Sequence, residues 1–378
     1  MNTDRHRFEF CVFVDFVVPN LKTRASLLQE DIMNVKENIL RAIRFEKPDS
    51  IPMVFHINAA CWNHYDKDAL MELVHNHTYL FPTPCSSSPT FALNARANAP
   101  YTDPWKCVWT TTDDGITGSV HGHPLASWGF FTGYTVPNPE TTDGTFPIDW
   151  ATIKREVQAA RATDEIVWGS LPHGHTFLRL QDIRGYENFI FDMMDEDPRI
   201  LSLIERVETF NAGYIDRWMN LSPDIFSFPE DLGMQVGPMI APDLFRKYIK
   251  PSYTRLMKKA QDKGCLVEMH SDGDIRTLAG DLVDAGVQAI NIQDLVNGID
   301  WIAERFRGKT CVHLDIDRQS ITPFGTPQAI DALIHEEVSK IATPQGGLMM
   351  IYGLYPGVPL ENAAALMDAM ERYAGFYS

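Results

Sequence analysis

The chain reads as an α/β protein: a (β/α)8 TIM barrel with an N-terminal extension and an insertion after the second strand. Three observations predict this. Short apolar runs recur along the chain, each followed by a polar interval and then a segment with helical periodicity, which is the pattern of parallel βα units. Eight such units can be counted, the number that closes a barrel. No GxGxxG or GxxxxGK[ST] turn follows an early strand, whereas an open doubly wound sheet, the alternative reading, would normally carry one.

Taken in order, strands are expected at IPMVFHI (51–57), TYLFPT (78–83), IVWGSL (166–171), DIFSF (224–228), CLVEMH (265–270), QAINIQ (288–293), TCVHLD (310–315) and LMMIY (348–352). Each is short and rich in apolar, β-branched or aromatic residues. Helices are expected between them, among them KDALMELVHN, DPRILSLIERVETFNAGYIDRWMN and PLENAAALMDAMERYAGF. The interval 84–165 is too long for a simple βα connection. It contains WKCVWTTTDDGITGSV, two strand-like pieces around Asp114-Gly115, and that dipeptide is a β-hairpin signal. The expected organisation is therefore an extension over 1–33 and one barrel domain over 34–378, with 84–165 inserted beside the barrel mouth.

Composition excludes several classes of function. With 33 basic against 50 acidic residues the formal net charge is −17, the wrong sign for a nucleic-acid partner. The six cysteines form no CxxC pair and read as reduced thiols. The opening MNTDRHRFEF mixes charges of both signs, unlike an export signal, and the run CVFVDFVVP falls well short of the roughly 20 residues of a membrane helix. A cytoplasmic protein without membrane contact is expected.

In such barrels the working groups stand where strands end and βα loops begin. His56 and Asn58 follow the first expected strand, His173 and His175 the third, and Glu230 and Asp231 the fourth. His270, Asp272 and Asp274 follow the fifth, Gln293 and Asp294 the sixth, His313, Asp315 and Asp317 the seventh, and Tyr352 and Tyr355 the eighth. Asp274 and Asp317 stand where an aspartate caps a following turn or helix. His270 and Asp272 are two positions apart, so an extended chain points both to one side. That pair can hold a divalent metal, with Glu230 as a third ligand, or the carboxylate can orient the imidazole as a general base. Trp62, Tyr65, Phe177 and Tyr355 are aromatic candidates for stacking on a substrate, or simply core.

The segment HSDGDIRTLAGDLVDAGVQAINIQD resembles the uroporphyrinogen decarboxylase superfamily, which carries a His-Ser-Cys-Gly or His-Ser-Asp-Gly motif, a helix and then a strand of the same pattern. KENILRAIRFEKPDSIPM, WKCVW, HPLASW, LRLQDIRGYENF, PEDLGMQVGPMIAPDLFRKYIKPSYTRL, HLDIDRQSITPFGTP and YPGVPLENAAALMDAM agree in the same order, over about residues 34–375. The resemblance implies a (β/α)8 barrel. True uroporphyrinogen decarboxylases carry an arginine-rich RQAGRY-type segment that grips propionates, where this chain reads FHINAACWNHYD with no arginine. The other branch comprises corrinoid-dependent methyltransferases, some with zinc held by His-x-Cys and a last Cys; here Asp272 and Tyr352 stand at those Cys places.

An oxygen and nitrogen ligand set suits polarising an ether oxygen rather than activating a thiol. The resemblance therefore implies a methyltransferase of the O-demethylase type. It would move a methyl group from a small methoxylated, expectedly aromatic, substrate to a corrinoid carried by a separate protein. No cobalamin-binding Asp-x-His-x-x-Gly segment occurs in the chain itself. On this reading Glu230, His270 and Asp272 hold zinc, and His173, His175, Asp231 and Tyr352 are the catalytic candidates. His56, Asn58, Trp62, Phe177, Gln293, His313 and Tyr355 line the substrate site. A homodimer is a family-level expectation. The competing readings are a decarboxylase or lyase of a small carboxylic acid and a non-enzymatic ligand-binding barrel.

Overall fold

The computed structural model describes residues 34–82 and 89–377. The expected extension over 1–33 lies outside them. Eight parallel strands form one curled sheet surrounded by helices: β1 Met53–Ile57, β2 Trp168–Ser170, β3 Ile225–Ser227, β4 Glu230–Asp231, β5 Leu266–Asp272, β6 Ala289–Gln293, β7 Cys311–Asp315 and β8 Leu348–Leu354. Their order is β1-β8-β7-β6-β5-β3-β2, with β4 continuing the line of β3 alongside β5. Among the described residues β1 and β2 share no ladder, so the sheet curls into a barrel without being hydrogen-bonded shut.

The count of eight holds, but its membership differs from the sequence expectation. Within 78–82 no strand forms. The amides of Leu80 and Phe81 both donate to the His77 carbonyl, which winds the chain into a turn, and Pro82 has no N–H to give a ladder. The eighth strand is instead the Glu230-Asp231 pair, whose residues stand opposite Ser271 and Asp272 of β5. The segment expected as an insertion after strand two therefore lies between β1 and β2, and in it Val108–Thr110 pairs antiparallel with Ser119–Gly122 and also with Tyr101–Thr102.

The two ends of the barrel are chemically unlike. Helix α1, Val35–Arg44, starts where the Asn34 side chain accepts from the Glu37 amide. Its Ile39, Leu40, Ala42 and Ile43 pack with Trp168, Ile225, Leu266, Ala289, Cys311 and Met349, residues at or near the beginnings of the strands. This helix plugs one end with apolar surface. At the other end the strands stop in polar residues, and the bore opens to water. Helices α2 Phe177–Arg184, α3 Pro198–Met219, α4 Lys250–Gln261, α5 Pro327–Ile341 and α6 Leu360–Ala374 lie outside the sheet. Among the described residues no helix is long and apolar enough to cross a membrane.

Candidate active site

The site begins at β5. Alternation along the strand turns Ser271 away from the bore, where its hydroxyl accepts from the Leu232 amide, and turns His270 and Asp272 into it. There His270 Nε2 lies 3.6 Å from Asp272 Oδ1 and 3.6 Å from Asp231 Oδ1. The other ring nitrogen, Nδ1, is 2.5 Å from Asn291 Oδ1, directly across on β6. A ring held at Nδ1 has its direction fixed, and Nε2 is what it presents to the mouth. On the far side of Asp231, His173 Nε2 stands 3.3 Å from the same Oδ1.

Two glycines make this convergence possible. Gly273 adopts φ +81°, and a Cβ there would meet the Gly233 carbonyl carbon at 2.2 Å. A Cβ on Gly233 would in turn meet Gly273 at 2.5 Å. The loops leaving β4 and β5 cross backbone to backbone, and only residues without side chains allow it. Gln293 Oε1 accepts from the Gly273 amide and Asn297 donates to its carbonyl, which fixes the crossing.

The charges follow from this geometry. Burial opposes the charge on His270, but its close approach to Asp231 and the charges of Asp272, Asp231 and Asp315 outweigh burial and lift it to about 9. Burial likewise opposes His173, and the Asp231 charge and hydrogen bond raise it above its ordinary value. Burial works against an ionised Asp231, yet His173 and His270 hold its carboxyl well below the usual range. Asp315, more deeply buried, is pushed up to about 6 despite the neighbouring Arg318. Two imidazoles whose hold on a proton is strengthened thus face the bore with an ionised carboxylate between them.

Several expected residues have other employment. Glu230, expected to be a metal ligand, is fully buried and turned away: it accepts from the amides of Thr176 and Phe177 and from the Tyr253 hydroxyl. Burial still pushes it up to about 7. His175 points into the core beside Phe228 and Tyr253, bonded to Thr176, and burial and nearby His173 lower it to about 3, so it stays neutral. The left-handed Gly174 between them (φ +72°) sends His173 and His175 to opposite sides. Tyr352 is buried, its hydroxyl spent on Thr322. Phe177 and Trp62 are core residues, and Asn58 caps the turn at Ala60. His313 sits a layer below the mouth, bonded to Glu268.

Of the substrate candidates, His56 and Tyr355 remain open to water, and Gln293 holds the Gly273 crossing described above. Asp274 accepts from the amides of Arg276 and Gly237, and Asp317 from those of residues 319 to 322, so both are caps. The chain signalled neither Asn291 nor Arg318 as part of the site. Asn291 is hidden inside an apolar strand. Arg318 stands three residues past Asp315, where an arginine in a loop reads as surface charge.

One ligand atom each from His173, Asp231 and His270 lie within 4.8 Å of one another, as do those of His270, Asp272 and Asp315. In a tetrahedral zinc site with bonds near 2.0–2.1 Å, neighbouring ligand atoms stand about 3.4 Å apart. The separations of 3.3 and 3.6 Å around Asp231 fit that spacing. Among the described residues no cysteine belongs to either cluster, and burial raises the thiols of Cys61 and Cys265 to about 12.

The family model for uroporphyrinogen decarboxylase (URO-D) matches residues 180–373, just over half of the chain. The chain belongs to the uroporphyrinogen decarboxylase family. The match covers β3 to β8 and so takes in Asp231, His270, Asp272 and Arg318. A methyltransferase from Methanosarcina mazei has the same fold as this URO-D family member, with TM-score 0.63 and 15% identity over 91% of this chain and 99% of the other. Overlap is slighter with a glycosylated endo-β-1,4-xylanase from Gloeophyllum trabeum (TM-score 0.36, 9% identity, 59% and 80% of the two chains). The same holds for dihydropteroate synthase from Anaplasma phagocytophilum (TM-score 0.29, 17% identity, 53% and 71%). No curated protein matches the sequence.

Proposed function

We propose that this protein is a methyltransferase that takes a methyl group from a small methoxylated aromatic compound and delivers it to a corrinoid carried by a separate protein. The observation that carries the reading is the His173–Asp231–His270 cluster at the open end of the bore, with Asp272 beside it. Breaking a methyl ether leaves charge on the departing oxygen, and stabilising that charge lowers the barrier by several kcal/mol. The methyl carbon leaves oxygen and bonds to the reduced cobalt of the partner, while the oxygen departs as phenoxide or, after taking a proton, as phenol.

The residues of this chain supply that stabilisation. His270 holds its proton on a nitrogen directed into the mouth, and Asp231 favours the charged form of both His270 and His173. Asn291 fixes the ring of His270, so the donor does not have to reorganise as charge develops. With the imidazoles neutral, His270 would hold zinc together with His173 and Asp231, or with Asp272 and Asp315, and zinc when bound supplies Lewis-acid polarisation of the ether oxygen. The likeness to a methyltransferase of the same fold supports the choice of reaction, as does the absence of arginine at the end of the first strand, where a tetrapyrrole would need cationic grip.

The test is methyl transfer from methoxybenzoates to cob(I)alamin, followed by the change in corrinoid absorbance, with the metal content of the purified protein measured alongside. Methylated corrinoid that is lost in His270→Ala supports the proposal. Release of carbon dioxide from small acids with no methylated corrinoid would instead make the protein a decarboxylase.

A further inference from the structure

Behind the mouth, on the side of the sheet away from the bore, two acids that the proposed reaction does not use meet in the core. Asp294 directly follows β6, and Glu337 stands on α5, the helix between β7 and β8. Glu337 is fully buried and Asp294 is 1% exposed. The two carboxyl groups lie within hydrogen-bonding reach of each other. Their other surroundings differ. Asp294 accepts from the amides of Leu295 and Asp317, the second at 2.8 Å. Among the described residues no amide, hydroxyl or cationic donor reaches either oxygen of Glu337.

No nearby charge makes up the difference. Asp317, the third acid of the group, spends its carboxylate on the amides of residues 319 to 322 and on the Ser320 hydroxyl. Among the described residues no lysine, arginine or histidine forms an ion pair with Asp294, Asp317 or Glu337. The charges on and around α5 are committed elsewhere: Glu336 and Asp300 to Lys340, and Asp331 to Arg372. On α6, Asp368 and Glu371 approach His77, and the His335 ring of α5 packs on Tyr373 and Phe376.

Two ionised carboxylates in contact, both stripped of water and without a cation, would repel each other at high cost. One proton between them removes that cost, and the donors show where it sits. Two amides favour an ionised Asp294, whereas a Glu337 without donors is better neutral, with its own O–H donating to Asp294. We infer that Glu337 and Asp294 share one proton, and that this proton is a pH-sensitive latch holding the loop after β7 to the outer helix α5. Asp294 grips the Asp317 amide, and Asp317 in turn caps the turn that follows Arg318. Loss of the proton would set two like charges against each other, and their separation would release that loop beside the mouth.

The sign follows from burial, which raises both groups above the ordinary carboxyl range, with the Asp294 charge raising Glu337 further. A carboxyl raised in the folded chain gives stability that is fully present below its unfolded value of 4.5 and is lost as pH rises through the folded one. The latch is closed in acid and opens in alkali.

Infrared difference spectra at neutral pH between the wild type and Glu337→Gln test the shared proton directly. The wild type is expected to show the carbonyl band of a protonated carboxyl that the variant lacks. Asp294→Asn, whose amide can donate to Glu337 and let it ionise, should remove the same band, and it serves if the glutamine variant folds poorly. Hydrogen exchange reads the loop. After correction for the intrinsic exchange rate, protection of the Asp317 amide should fall at least about ten-fold in the wild type as pH rises from neutral into the alkaline range. It should stay level in Glu337→Gln, which has no charge to gain there. Identical carbonyl bands in wild type and both variants, or parallel exchange profiles, would overturn the inference. So would a wild type without the band that is stabilised by added calcium, since a cation would then lie between the carboxylates.

Discussion

His270 shows how one residue's surroundings decide its chemistry. With a folded value near 9 against an ordinary 6.5, it binds its proton more tightly in the folded chain than in the unfolded one. Its contribution to stability is therefore fully present below pH 6.5 and is lost as pH rises through 9. The shift corresponds to roughly 3 kcal/mol at most. Thermal melts of the metal-free protein should show stability falling over that window, and His270→Gln should flatten the fall. The neighbouring carboxylates are distinguishable by the same logic of surroundings. If the proposed zinc sits between His270, Asp272 and Asp315, Asp272→Ala is expected to weaken its binding about 100-fold or more by calorimetry, whereas Asp274→Ala, which removes a cap, should cost about 1 kcal/mol of stability and little zinc affinity. Asn291→Ala removes the support of the ring along with a bond to the His313 carbonyl, and should cost roughly 10- to 100-fold in affinity for the proposed zinc.

At the level of elements, the site is a meeting of two loops and a short strand. The end of β4 splits its two carboxylates: Asp231 enters the bore, and Glu230 binds the amides at the start of α2. The second contact is what holds the loop bearing His173 against β4. The crossing of Gly233 and Gly273 has the same purpose for Asp272. Gly273→Ala combines a strained φ of +81° with a backbone clash, so it should cost more than about 2 kcal/mol in denaturant unfolding and weaken zinc binding together. A substitution that moved only one of these two readouts would show that the crossing does not position Asp272. Neither contact is announced by sequence spacing, because Glu230 reaches residues more than fifty positions away.

Across the whole molecule, stability and chemistry are placed at opposite ends of the barrel. Leu40→Ala in α1 should cost about 2–5 kcal/mol by emptying space in the apolar plug. Zinc affinity at the far end should be unchanged, and a joint loss would contradict this separation. Much of the fold was legible in the chain, because apolar runs alternating with helical periodicity admit few arrangements, and His270 with Asp272 stood on one face by simple alternation. The expected strand at 78–83 was not, since a short apolar run does not reveal whether its amides will find a ladder or turn back on His77. The aromatic residues misled for a related reason: Phe177, Trp62 and Tyr352 are hydrophobic enough to serve either mouth or core, and packing put them in the core.

The sequence by itself determined the family, the barrel class and the residues available at its polar end, because these depend on local pattern and on motifs contiguous in the chain. Only the tertiary structure decided that Asp231 rather than Glu230 joins His270, that His173 rather than His175 faces the bore, and that Arg318 borders the site. Those choices turn on which way a side chain points once the strands are side by side. That direction is set by crossing loops, capped amides and burial, all of which arise between residues far apart in the chain.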